Sequence, residues 1–225
     1  MKTKIFNTLA LTVLAFVVIF INSSKKAKAA DKTLIVTELS HIKKINKIIL
    51  EGNVQVDLTH DQNENLKVYD AYYSKNALVQ WENGELRITS FEKEPLKVSI
   101  TVSNLSSLEA SGTSSVKSMN MISSVNLDIQ LSDYATADLE ARVYHIRSVL
   151  QDEAKLELKG EAEYQHLGLS GNAGYDESQF FTQNRSTHIS KSATALINQN
   201  ADSTTIKAFT SIPEKNSSFV LIPEF

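Results

Sequence analysis

A weak repeat of about twenty residues runs through the C-terminal half of the chain, and a fixed period of this length constrains the fold more than any other feature. Its register is set by an apolar residue followed by a small or polar one: Ala110-Ser111-Gly112, Leu131-Ser132-Asp133, Leu150-Gln151-Asp152, Leu169-Ser170-Gly171, Ile189-Ser190-Lys191 and Phe209-Thr210-Ser211. The middle residues fall at 111, 132, 151, 170, 190 and 210, so the spacings are 21, 19, 19, 20 and 20. Self-similarity at such a period marks stacked supersecondary units, each of which buries its apolar face against the next. The prediction is an all-β chain built as a parallel β-solenoid, or β-helix, of about 20-residue coils. Coils would stack at roughly 4.8 Å, and the crossover rule for parallel strands makes the solenoid right-handed.

Strands are expected from Thr33 to Ser103 as an N-terminal β-rich part, continuous with the solenoid or capping it. Val54-x-Val56-x-Leu58, Leu66-x-Val68 and Leu96-x-Val98-x-Ile100-x-Val102 alternate with period two, the signature of half-buried strands. Asn83-Gly84 lies between Ala77–Trp81 and Leu86-x-Ile88. It predicts a hairpin, because both central residues of the favoured turn need positive φ. Residues 104–211 carry the repeat coils, with Val125-x-Leu127-x-Ile129-x-Leu131 the fullest alternation. The nearest approach to a helical period is Ala135 to Val149, where Val143, Ile146 and Val149 give a thin i, i+3 series. Residues 212–225 break the repeat and end on Phe219-Val220-Leu221-Ile222, a C-terminal cap or a tail. The cap is favoured, because an exposed apolar edge invites aggregation.

The first 29 residues read as a secretory signal peptide: Lys2 and Lys4, an apolar run from Leu9 to Ile21, then Ala27-Lys28-Ala29 before a cleavage point. The rest, 30–225, is expected to be a single domain with no membrane span after cleavage. An uncleaved anchor is the alternative, since Ile5 to Ile21 approaches spanning length. Export predicts a periplasmic, outer-membrane-associated or cell-surface location. There is no cysteine, so core packing and hydrogen bonds must hold the fold without disulfides. Five of the 23 basic side chains and none of the 26 acidic ones lie in the leader, leaving the remainder at about −8. That balance excludes a basic nucleic-acid footprint.

The order of elements from Ile45 to Ala208 resembles a known family, the putative auto-transporter adhesin, head GIN domain. The resemblance is carried by Ile48 to Leu58, by the Asn83-Gly84-Glu85-Leu86-Arg87-Ile88 hairpin, by Leu105 to Gly112, and by the Ser-Gly-like corners. The family's Ser-Gly corner is intact at Ser111-Gly112 and Ser170-Gly171 and replaced at Ser132-Asp133, Gln151-Asp152 and Ser190-Lys191. Its Gly-rich final strand is missing from Ile212 to Phe225. The resemblance implies an exported bacterial β-solenoid at the cell envelope and transfers no catalytic residue.

Asp133 and Asp152 occupy the same corner of adjacent coils. Stacked carboxylates roughly 5–6 Å apart are candidate Ca²⁺ ligands or an acid/base pair. The competing expectation is a turn role, since Asp is a common turn residue and one pair supplies few of the oxygens Ca²⁺ takes. Trp81, Tyr72 and Tyr73 are a candidate ligand or partner surface, and Tyr134, Tyr144, Tyr164, Tyr175, Phe180 and Phe181 could extend one, although core filling accounts for most aromatics. His145, His166 and His188 lie 21 and 22 residues apart and drift against the corners, which argues against a metal ladder. No catalytic set and no cofactor motif is present in the sequence. The leading expectation is a non-enzymatic envelope or surface module that binds a protein or glycan through a polar solenoid face. The alternatives are a polysaccharide-active or Ca²⁺-dependent β-helix enzyme using Asp133 and Asp152, and a structural assembly unit that stacks end to end through its C-terminal strand, Phe219 to Ile222, self-association through the solenoid ends being the partner this implies.

Overall fold

The computed structural model describes residues 36–39, 42, 44–69, 77–189 and 193–197. The predicted signal segment, Tyr72, Tyr73 and the predicted C-terminal cap lie outside the described residues. Among the described residues, fourteen strands form one sheet. They are β1 (Val36–Glu38), β2 (Lys47–Gly52), β3 (Val54–His60), β4 (Asn65–Tyr69), β5 (Ala77–Glu82), β6 (Glu85–Ser90) and β7 (Leu96–Val102). Then come β8 (Ser107–Ala110), β9 (Ser115–Ser118), β10 (Ile122–Leu131), β11 (Thr136–Leu150), β12 (Lys155–Leu169), β13 (Gly174–Ile189) and β14 (Thr194–Ile197).

The expected regular solenoid is not what forms. The sheet is mixed and curls as a half-barrel. β4 is antiparallel to both β1 and β7, and β5 is antiparallel to β6. Both antiparallel sets lie outboard of the parallel strands, in the order β1-β4-β7-β3-β9-β11-β10-β8-β2-β6-β5, with β12, β13 and β14 continuing from β11. Nor are the repeats short strands separated by corners. β11, β12 and β13 run unbroken for 15, 15 and 16 residues. The Asn83-Gly84 hairpin explains one departure: φ of 51° and 84° at its two central residues reverses β5 onto β6, the hand that matches strand twist.

The period survives as parallel register. Leu131, Leu150, Leu169 and Ile189 are successive partners. The offset is 19 residues from β10 to β12 and becomes 20 in β13 after a bulge opposite Glu157 and Lys159. Inward residues make continuous apolar columns, such as Ala135, Ala154 and Ala173, all fully buried. Further columns come from β2, β3, β6 and β7, so one hydrophobic cluster runs from Ile42 to Phe180. At about 25 cal/mol per Å² of apolar surface removed from water, this shared core is the main force holding the rungs together.

The corners explain why small or acidic residues recur. Gly112, Asp133, Asp152 and Gly171 all have left-handed φ, at 72°, 57°, 59° and 67°. Glycine and, among the others, Asp and Asn tolerate this region. The main chain bonds rung to rung beside them: Tyr134, Glu153 and Asn172 N–H donate to the carbonyls of Gly112, Asp133 and Asp152 at 2.9, 2.8 and 2.7 Å.

Candidate functional site

The two predicted metal ligands do lie on adjacent rungs. Asp133 Oδ2 accepts from Gly112 N–H at 2.9 Å, and Asp152 Oδ2 accepts from Asp133 N–H at 3.3 Å. Each carboxylate therefore caps the main chain of the rung before it. No cluster of three or more His, Asp or Glu side chains suited to a metal occurs among the described residues. With Ca²⁺ taking six to eight oxygens, the pair is short of a coordination shell by its own donors. Replacing Asp152 by Ala should cost about 1–2 kcal/mol, from left-handed strain and the lost hydrogen bond. Asp152→Gly should cost less, since Gly112 and Gly171 already occupy equivalent positions. Urea denaturation with and without Ca²⁺ checks both points: added Ca²⁺ is expected to leave the midpoint where it was.

Trp81 is the penultimate residue of β5, opposite Leu86, and is 39% exposed. It stands at one edge of the sheet, away from the aromatic residues of β11–β13. Of those, Tyr175 and Phe180 are core residues, whereas Tyr144, Tyr164 and Phe181 are exposed, as is Tyr134 in the corner before β11.

The aromatic residues that gather outward are Tyr144, His145 and Tyr164. Strand β11 turns two successive side chains out at Tyr144-His145, and parallel register brings His145 beside Tyr164. The His145 and Tyr164 rings stack with centroids 4.9 Å apart and 24° between planes. Tyr144 meets Tyr164 edge-on at 5.4 Å. Tyr164 is also the main cause that raises the Tyr144 phenol above 10.0. Beside these rings lies a depression of about 350 Å³. Its walls include Asn126, Asp128, His145, Arg147, Tyr164 and His166, with Leu127 and Ile146 below. Arg147 Nη1 spans both oxygens of Asp128, at 3.0 and 3.2 Å. Burial, then Arg147, then His188 hold the His166 imidazole below 6.5. Asn126, Asp128, Arg147 and His166 were not among the predicted site residues. The 19-residue offset would have found them, because it aligns Asp128, Arg147 and His166 in one outward column.

A second group missed by sequence reasoning lies inside the sheet. The column Leu127–Ile146 continues as Gln165 and Arg185, and β13 adds Tyr175 and Glu177. Gln165 Nε2 donates to Tyr175 Oη at 2.6 Å and to Glu177 Oε2 at 2.5 Å. Tyr175 Oη donates to Glu177 Oε2 at 2.8 Å, and Arg185 Nε donates to Gln165 Oε1 at 3.0 Å. Arg185 Nη2 pairs with Glu177 Oε1. Burial raises the Glu177 carboxyl above 4.5 against the pull of Gln165, Tyr175 and Arg185. Burial and the Glu177 charge raise Tyr175 well above 10.0. The four side chains are almost wholly buried, so the group ties the last rungs together, and Gln165 also forms part of the wall of the depression.

Solved structures share this fold. A putative adhesin from Bacteroides fragilis aligns with a TM-score of 0.65 at 18% identity, over 73% of this chain and 78% of its own. A putative adhesin from Parabacteroides merdae aligns at 0.60 and 12% identity, over 73% and 81%. A putative lipid binding protein from Parabacteroides distasonis aligns at 0.58 and 13% identity, over 72% and 80%. No curated protein matches the chain. No helix among the described residues is long and apolar enough to cross a membrane. Residues 44–210 match the profile of the putative auto-transporter adhesin, head GIN domain, and the chain belongs to that family.

Proposed function

We propose that this chain is a non-enzymatic binding module exported to the bacterial cell surface, and that it engages its partner with the outward face of β10–β13. The observation that carries the reading is the Tyr144, His145 and Tyr164 cluster beside a depression lined with polar side chains. Exposed rings next to amide, carboxylate and guanidinium groups form an amphipathic contact surface, of the kind that gives much of its energy through a few aromatic anchors. Long strands in fixed register preorganise these groups, so less side-chain entropy is lost when a partner docks. Family membership supports the reading, since the family is described as an adhesin head. The solved neighbours described as putative adhesins support it too.

The test is adhesion of beads carrying the full chain to immobilised glycans and extracellular-matrix proteins. The Tyr144→Ser/Tyr164→Ser variant should lose at least tenfold in retention on any surface that holds the parent. Both residues are exposed, so the melting temperature should stay within about 2 °C, as expected of surface substitutions worth under 0.5 kcal/mol. Retention unaffected by the double substitution would overturn the assignment of the face.

A further inference from the structure

Resting on that reading, we propose that the depression beside Tyr164 takes a hexuronate, the carboxylated pyranose unit of an acidic glycan. The chain as a whole is acidic, with a formal net charge of −3. One guanidinium, Arg147, and the imidazoles of His145 and His166 nevertheless line this depression. Arg147 and His166 are direct neighbours across β11 and β12. His188 partners Gly168, two residues further along β12. Asp128 is the one acidic residue lining the depression. It holds Arg147 through Nη1 only, and both side chains are partly exposed, at 50% and 35%. A pair this open is weak and solvent-screened, so a second carboxylate can share Arg147 or displace Asp128 from it.

Neighbouring parallel strands are about 4.8 Å apart, roughly the width of one pyranose ring. A ring lying across β11 and β12 would set its carboxylate against the Arg147 guanidinium, whose planar fork matches that group. The His166 imidazole, one strand on, supplies a hydrogen bond to the same end. The C–H face of the sugar would meet the edges of Tyr164 and His145, and its hydroxyls would reach the Asn126 amide and the free side of Asp128. A neutral hexose could make the aromatic and hydroxyl contacts but leaves Arg147 without its second anion. A carboxylate therefore distinguishes the two ligands through one charge-assisted contact.

Calorimetric titration of the full chain with tetragalacturonate and with its methyl ester tests this directly, since the two probes share one sugar backbone and the ester replaces each carboxylate with a neutral, methylated group. The acid should bind at least tenfold more tightly than the ester. Arg147→Gln should remove most of that difference, lowering affinity for the acid about tenfold, so that the acid-to-ester ratio falls toward one. Tyr164→Ala should weaken both probes, with an unchanged melting temperature as the folding control. Equal binding of acid and ester, sensitive to Tyr164→Ala, would overturn the hexuronate assignment while leaving the binding face in place. Binding of neither probe, or binding of the acid that ignores Arg147→Gln, would also overturn it. Loss of the adhesion difference in the bead experiment would instead count against the face itself.

Discussion

Arg185→Ala is expected to lose about 3–5 kcal/mol at neutral pH, the range for removing one partner of a buried ion pair. The Arg185 and Glu177 side chains are only 7% and 0% exposed. Without the guanidinium, Glu177 keeps its bonds from Gln165 and Tyr175 but loses the one positive charge in the group. The sign of the pH dependence follows from the carboxyl being raised above 4.5 by burial. A folded-state value above the unfolded one means that the native chain holds the proton more tightly. The contribution to stability is thus fully present below 4.5 and is lost as pH rises through the raised native value, levelling off above it. In Arg185→Ala this slope should steepen, because the unpaired carboxylate is then the costlier species. Urea unfolding at pH 4.5 and at pH 8 should show a smaller deficit at the lower pH. Glu177→Leu/Arg185→Leu should recover to within about 1–2 kcal/mol of the parent, since two apolar groups of similar bulk remove the unpaired charge as well. A deficit below 1 kcal/mol at pH 8 would mean that the pair is hydrated and not part of the core.

The strands, the hairpin and the period were legible because each has a local signature. Alternation at Leu96–Val102 reports one buried face, and Asn83-Gly84 reports a turn whose φ values only a few residues accept. The sheet's pairing was not legible. β4 carries the same alternation whether it pairs parallel or antiparallel, and its partners β1 and β7 are set by long-range closure. The unbroken length of β11 was hidden for a more specific reason. Ala137, Leu139, Ala141 and Val143 face inward, then Tyr144 and His145 both face out, and Ile146, Ser148 and Leu150 resume inward on the opposite parity. That phase shift places buried residues three apart at 143 and 146, which imitates a helical step inside a strand. The same shift puts Tyr144 and His145 on the surface together, so the feature that obscured the strand also exposes the aromatic cluster.

Site residues divided along the same line. Asp133 and Asp152 were legible as corner equivalents. Their role followed only once the left-handed φ values and the bonds to the preceding rung were visible. The histidines looked like a faulty ladder, because spacings of 21 and 22 do not fit rungs 19 and 20 apart. In the sheet that mismatch moves each histidine one outward position along. His145 stacks on Tyr164, and His166 falls beside Arg147. A spacing that fails as a metal ladder is what distributes imidazoles over a face.

Gly160→Ala should be among the most damaging single-methyl changes in the described sheet, with a loss of about 2–4 kcal/mol. Gly160 lies within β12 at φ +108°, outside the region that Asp or Asn reach at the corners. A Cβ there would sit 2.1 Å from the Ala141 carbonyl oxygen. That atom belongs to the backbone of the neighbouring strand, where Ala141 is the direct partner of Gly160. Neither side can yield cheaply: Ala141 is fully buried, and so is Phe180, the partner of Gly160 on the other strand. Relief requires shifting β11 from β12, which breaks the register that carries His145 to Tyr164. Gly168→Ala supplies the control in the same strand. Its Cβ would meet nothing closer than Val149 Cγ2 at 3.8 Å, an ordinary contact. That variant should stay within about 1 kcal/mol of the parent and gain slightly through the unfolded state. By thermal melting, Gly160→Ala should fall by about 5–15 °C and Gly168→Ala by no more than about 3 °C, at roughly 2–4 °C per kcal/mol for a chain of this size. Similar melting temperatures for the two variants would show that β12 can leave β11 without cost. The binding face, whose geometry rests on that pairing, would then have no rigid support.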